Sequence, residues 1–315
     1  MFHLIAPSVF RPWPGGDLEL PRLPALELLL ARAQRIEDAG SYAETLFDLF
    51  RIPAEARATA PFCWLGVSGM PAPGWVMHAD PVHFRADRDR LLLFTLPEAD
   101  LSSAESGQFV EAFSRHFAED GVRLHALSAQ QWFLTTEQAP QVEFTSLEEA
   151  SGRALEESMP RGRDAGQWRR MMNEAQMLFF SLPVNQQREG RGALPVNGLW
   201  FSGLGRDRTP AGVAPEVVAG QAECLLQGLL KGAAERDPDH RVLLFPQAKK
   251  AVAQQDPAAF LLALRELDGL IGSLLEEERE FRLHGCDGRA LHWRKGMKWR
   301  LWRRRKPLAF GMGSM

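Results

Sequence analysis

Trp168 to Gly205, WRRMMNEAQMLFFSLPVNQQREGRGALPVNGLWFSGLG, decides how the rest of the chain is read. Met171, Met172, Ala175, Leu178 and Phe179 recur at helical spacing, so Trp168 to Ser181 is expected to be a helix with one apolar side. Leu199 to Phe201 reads as a buried strand. Asn185, Arg188 and Asn197 stand in the polar segments between them. Such Asn side chains commonly hydrogen-bond backbone, which gives a structural reading, while a ligand-binding reading of the three stays open. Gly203-x-Gly205, followed by Arg206 and Arg208, either makes a turn or cradles a phosphate with backbone N–H groups.

With 315 residues the chain is long enough for one large α/β domain carrying an insertion, or for two ordinary domains. Cys63, Cys224 and Cys286 are widely spaced and odd in number, which argues against a disulfide framework and fits a reducing compartment. No CxxC or CxxH pairing points to a zinc site. The start, MFHLIAPSVFRPWPGG, has too short an apolar run for a signal peptide, and no stretch approaches the roughly 20 apolar residues of a membrane helix. A cytoplasmic protein with no membrane partner is expected. The net charge of −3 is ordinary, but Arg289 to Lys306 holds nine Lys/Arg, three of the nine Trp and no acidic residue.

Phe2 to Ala6 reads as a strand, followed by a loop and then LPALELLLARAQRI, whose leucines repeat at helical spacing. Ala79 to Phe94 places a charged loop before a strand from Leu91. Ser106 to Asp120 is expected as an amphipathic helix closed by Gly121, and Val122 to Thr135 as one or two strands. Further helices are expected over Val217 to Leu230 and Pro257 to Glu277, with a parallel-sheet strand at Val242 to Phe245 between them. Phe281 to Trp302, with turn dipeptides Asp287-Gly288 and Lys295-Gly296, reads as an antiparallel meander. The tail at 311–315 is expected to be disordered.

Pro183, Asn185, Arg188, Pro195, Asn197, Gly203 and Gly205 make a pattern that resembles the archaeal-type, cofactor-independent phosphoglycerate mutases of the alkaline phosphatase superfamily, with Leu182 where that family usually has His. Leu23 to Arg32 and ALRELDGLIGSLL are similar to two helices of the same proteins. LPALELLLAR, DPVHFRADRD, PVNGLWF and the basic Trp-rich ending together resemble a bacterial group of mutase-related proteins, regulation-of-pathogenicity-factors type E. The resemblance implies an α/β fold: an alkaline-phosphatase-like, mainly parallel sheet flanked by helices, with an inserted α+β subdomain and a C-terminal antiparallel meander. It places the core at 1–85 and 195–310 and the insertion at 86–194.

It also implies phosphoryl transfer at two divalent metals held by Asp and His, and here the sequence departs. Pro7 or Ser8 stands at the end of the first strand in place of a metal-binding Asp, and Asp17 lies in the loop beyond. Lys249 and Lys250 follow Val242 to Phe245 where acidic ligands are expected, and cations repel a metal. His284, Asp287 and His292 occur without the expected order. No metal and no cofactor is expected.

Three functional readings follow. The first is a degenerate mutase-like protein without the two-metal site, acting as a regulatory or ligand-binding protein with an anionic or phosphorylated small molecule or a protein as partner. The second is an enzyme on a phosphorylated small molecule, with Asp80, His83 and Asp87 as catalytic candidates and Arg85 and Arg88 forking onto the anion, joined by Asn185, Arg188, Asn197 and Arg206. A strand-edge salt network explains the same charged run. The third is nucleic-acid binding by Trp299, Arg300, Trp302, Arg303, Arg304 and Arg305. Against it, alternation puts Trp299 and Leu301 on one strand face and Lys298, Arg300 and Trp302 on the other, where Trp packs and Arg stacks.

Overall fold

Phe2-His3-Leu4-Ile5 and Phe281-Arg282-Leu283-His284 lie far apart in the chain, both begin apolar-polar-apolar, and the structure lays them side by side as parallel strands. It is a computed structural model and describes all residues except 14, 15, 17, 89, 98, 207–211, 220–222, 304–307 and 309–315. In chain order its elements begin with β1 (Phe2–Ile5), α1 (Pro24–Arg32), β2 (Gln34–Glu37), α2 (Tyr42–Leu49), α3 (Thr59–Ser68), β3 (Trp75–Asp87), β4 (Arg90–Thr95), α4 (Ser103–His116), β5 (Val122–Ala126) and β6 (Trp132–Thr136). The short helices α5 (Leu147–Ala150) and α6 (Leu155–Ser158) precede α7 (Ala165–Phe180), α8 (Pro183–Gly190), β7 (Gly198–Arg206), β8 (Gly212–Ala219) and α9 (Cys224–Gly232). β9 (Ala233–Leu244), α10 (Gln247–Ala253), α11 (Pro257–Glu276), β10 (Phe281–His284) and β11 (Arg289–Trp293) complete the series. The chain is mixed α/β, with one mostly parallel and one antiparallel sheet.

The elements form two compact units, one of Met1–Pro53, Ala211–Ala222 and Ala233–Met315, the other of Ala54–Pro210 and Glu223–Gly232. The expected boundaries at 85 and 195 both fall inside the second unit. β3 pairs both with β7 and with β6, which the expected division would put in different bodies.

In the first unit the strand order is β2-β11-β10-β1-β9-β8. β1 pairs in parallel with β9 and β10, and β8 with β9, whereas β11 runs antiparallel to β10 and β2. Side chains alternate across the sheet, so Phe2, Leu4, Phe281, Leu283, Leu291 and Trp293 share one face, and all are buried. That face packs with Leu26 and Leu29 of α1 and with Phe260, Leu264, Leu267 and Ile271 of α11 in one apolar core. α11 starts where the Asp256 side chain accepts from the amide of Ala259 at 3.0 Å and Pro257 supplies a preset φ. The other face carries His3, Arg282, His284 and His292.

Two expectations fail in this unit. The helix expected over Val217 to Leu230 is instead edge strand β8 followed by α9, because Val213, Val217 and Val218 suit a strand and Pro215 is tolerated at a sheet edge. The meander has only two of its limbs: β10 and β11 form a hairpin, but Gly296, at φ 89°, turns the chain into a short 3-10 helix over Met297–Trp299. The partner of β11 is β2, which nothing in the sequence pattern announces.

The second unit is built on β3, whose first residues lie between β6 and β7 and whose end pairs with β4, all antiparallel. Trp132, Phe109, Phe113, Phe179, Trp200 and Phe201 are buried with α4 and α7 over this sheet. A Cβ at Gly198 would lie 2.1 Å from the Phe84 ring, so only glycine fits there. α4 opens with a capping box of Ser102 and Glu105 and ends at His116 rather than at Asp120, with Gly121 in the following turn. Cys63 and Cys224 form a disulfide, contrary to the expectation drawn from their number and spacing. α3 and α9 approach backbone to backbone at Gly66 and Gly228, and that contact brings together cysteines 161 residues apart. Among the described residues no helix is long and apolar enough to cross a membrane.

Candidate functional site

The charged run from His78 is strand β3, not a loop, and alternation spreads its residues over both faces of the sheet. Asp80 lies on one face, while His83, Arg85 and Asp87 lie on the other, so the three catalytic candidates are not brought together. Asp80 is half-buried, and packed surroundings push its carboxyl up to about 7. On the same face His78 accepts or donates at 3.1 Å with the Thr59 hydroxyl, and burial pushes its imidazole down to about 4, leaving it neutral. His83 Nδ1 donates to the Pro195 carbonyl at 3.0 Å. Arg85 stacks 4.3 Å from the centre of the Phe94 ring, and Arg88 sits exposed in the β3–β4 turn at φ 56°.

The conspicuous asparagines act as clamps. Asn185 donates to the carbonyls of Phe179 and Val196 and accepts from the amide of Val196, holding α8 against the approach to β7. Asn197 accepts from the amide of Phe84 at 2.6 Å and donates to its carbonyl at 2.8 Å, as a strand neighbour would. Arg188 is fully buried and bonds Asp100, Glu105 and the Leu194 carbonyl. Burial alone would raise the Glu105 carboxyl, but the Ser102 amide and hydroxyl, Arg191 and Arg188 outweigh it and hold it at about 2. Arg206 is exposed at the end of β7.

In the basic ending Trp299 and Trp302 are 68% and 77% exposed, while Arg300 donates to the Arg32 carbonyl and Arg303 to that of Ala33. Asp17, Arg208, Arg304 and Arg305 lie outside the described residues.

The polar constellation that sequence reasoning missed lies on the second face of the parallel sheet. His3 of β1, His240 of β9 and His284 of β10 stack with ring centres 5.1 and 5.2 Å apart. His3 Nδ1 meets His284 Nε2 at 3.0 Å, His3 Nε2 meets His240 Nδ1 at 3.2 Å, and His284 Nδ1 meets the Asp38 carboxylate at 2.9 Å. Burial first, then His284 and His240, push His3 down to about 2, so it stays neutral. These residues line a cavity of about 510 Å³ together with Asp48, Arg51 and Arg282. The available signal was a polar residue at alternate positions in β1 and β10, where a parallel strand covered on both faces is normally apolar throughout.

Among the described residues the carboxyl ends of the parallel strands hold few groups that could bind two metals. β1 runs into Ser8, which is buried with φ at 69°; β10 runs into Cys286, at φ 57°, and Asp287, and the Asp38 carboxylate meets His284 at the end of β10. β9 leads into α10, whose Lys249 ammonium lies 4.6 Å from the centre of the Tyr42 ring. Among the described residues no three His, Cys, Asp or Glu side chains are grouped to hold a metal ion. The stacked histidines do not converge, because the two nitrogens of His3 point at different neighbours.

No protein-family model matches the sequence, and no curated protein matches it. Two solved structures are similar over nearly its whole length. A cofactor-independent phosphoglycerate mutase from Thermoplasma acidophilum is 14% identical, with 94% of this chain and 90% of that chain covered and a TM-score of 0.38. The PH0037 protein from Pyrococcus horikoshii is 14% identical, with 94% and 87% covered and a TM-score of 0.50. The second likeness is one of fold.

Proposed function

We propose that the chain is a phosphoglycerate-mutase-like protein without a working two-metal site, acting as a regulatory or ligand-binding protein of the regulation-of-pathogenicity-factors type E group. One observation carries the reading. Among the described residues the carboxyl ends of β1, β9 and β10, where α/β proteins of this kind place their ligands, present Ser8, Lys249 and two carboxylates that are already paired, Asp287 with Arg289 and Asp38 with His284. Two divalent cations need several carboxylate or imidazole ligands, and an ammonium beside them opposes binding. Exposed Trp299, Leu301 and Trp302 supply an apolar surface of the kind that meets a protein partner. The same reading puts the protein in a bacterial cytoplasm, where the Cys63–Cys224 bridge is open to reduction.

An enzyme working through Asp80, His83 and Asp87 has less support, since those groups face opposite sides of β3. The test is metal analysis of purified protein after incubation with manganese or zinc, followed by a panel of phosphate esters that includes 3-phosphoglycerate. Less than one metal per chain and no turnover are expected. Two equivalents of metal that support phosphatase or mutase turnover would overturn the reading.

A further inference from the structure

We infer that Asp38, His284, His3 and His240 form a proton relay that makes the cavity of the first unit a general-base site for a small organic acid. A carboxylate only accepts hydrogen bonds, so Asp38 fixes the whole chain of tautomers. His284 must donate from Nδ1, which leaves its Nε2 bare to accept from Nδ1–H of His3. Nε2 of His3 is then bare and accepts from Nδ1–H of His240. Nε2 of His240, a half-buried residue lining the cavity, is left with a lone pair.

An acid that presents its O–H there loses that proton to His240 Nε2. The Nδ1 proton of His240 passes to His3 Nε2, and the Nδ1 proton of His3 passes to His284 Nε2. The charge comes to rest as a His284 imidazolium against the Asp38 carboxylate. One O–H bond is exchanged for one N–H bond and nothing is oxidised or reduced. Both links between imidazoles survive with their direction reversed, so neither end state leaves a buried nitrogen unsatisfied. His3 is neutral in both states, as its burial between two imidazoles requires.

The surroundings fit this traffic. Arg282, on the strand beside β1, lines the same cavity, where its guanidinium suits the second oxygen of the acid. Glu37 and Asp48 line the cavity too and favour uptake of positive charge. Arg51 is paired with Asp237 at 2.8 Å. The terminal amine of Met1, which donates to the Asp239 carbonyl, and Arg282 act against a charge on His3. A relay therefore carries the proton past His3 to Asp38, where a charge is compensated.

The inference goes beyond the proposed loss of a metal site and does not depend on it. Its test is long-range proton–nitrogen correlation spectroscopy on the full chain, following the imidazole nitrogens with pH and with added acetate. At high pH all three histidines are expected as the Nδ1–H tautomer. On acidification, His284 is expected to become doubly protonated while His3 stays neutral and changes to the Nε2–H tautomer. A His3 tautomer that never changes, or charge that rests on His240, would overturn the relay. Acetate is expected to bind with uptake of about one proton, read by calorimetry in buffers of different ionisation heat. His3→Phe, which keeps a ring in the stack and breaks both links, should bind acetate without that uptake. Acetate that moves none of the three histidine signals would overturn the choice of an organic acid. The wild-type spectra decide the relay even where the variant does not fold.

Discussion

The Arg188 cluster of the second unit and the histidine chain of the first are both buried polar networks, yet they do opposite things with charge. Arg188 offers a guanidinium that only donates, and Asp100, Glu105 and two backbone carbonyls engage it from several sides. Such a network is locked, and its product is position: it pins α8 to the start of α4. The histidine chain has one fixed charge at Asp38 and three rings that each donate and accept. Its protons can be redistributed without losing a hydrogen bond, and it opens onto a cavity. A buried network built on arginine specifies structure, whereas one built on imidazole can also carry chemistry.

The largest expected effect breaks the locked network. Arg188→Ala strands two carboxylates and should cost about 3–5 kcal/mol in denaturant unfolding, the range for removing one partner of a buried ion pair. A loss under about 1 kcal/mol would mean that the cluster is solvated and the comparison false. His3→Ala should cost less, about 1–3 kcal/mol, for the nitrogens it leaves unpaired and the space it opens.

Acid separates the two networks by pH window. Glu105 is held below its usual value, so its contribution is full above about 4.5 and is lost as pH falls towards about 2. His3 is also held low, but as a base. The unfolded chain binds a proton below 6.5 that native His3 refuses until about 2, so stability falls with pH from 6.5 downward. From pH 7 to 5 the unfolding free energy should therefore lose less with acid in His3→Phe than in the wild type, the remaining slope belonging to groups such as His78 and Asp80, while Glu105→Gln leaves the share of His3 in place. The smallest effect is expected at Trp302→Ala, within about 0.5 kcal/mol, because the ring is exposed. If the basic ending binds single-stranded nucleic acid, that variant should weaken the binding without changing stability, and an unchanged affinity removes Trp302 from that reading.

Periodicity made much of this architecture legible in the sequence. α7 and α11 show their apolar stripes, and β1 and β9 their short apolar runs, because in each case the packing face dictates residue type. The chain near Val217 misled because its Val and Leu spacing fits a helix as well as a strand, and pairing with β9 decides between them. The last limb of the meander misled because Lys298 to Trp302 alternates, although Gly296 at φ 89° has already turned the backbone out of the sheet.

The site was harder to read for a related reason. A dense local cluster such as His78 to Asp87 stands out on the page, yet along a strand neighbours point apart. His3, His240 and His284 never lie near one another in sequence, and only the parallel register of β9, β1 and β10 gathers them. Asn185, Arg188 and Asn197 were conspicuous, and the backbone takes up the polar atoms of both asparagines.

The central proposal is that the carboxyl ends of the parallel strands do not hold two metals. Crystals grown with manganese, measured at the manganese absorption edge, test it most directly. The expected map shows no anomalous peak near Ser8, Lys249 or Asp287. Two peaks about 4 Å apart at those strand ends, the spacing of a two-metal site, would contradict the claim.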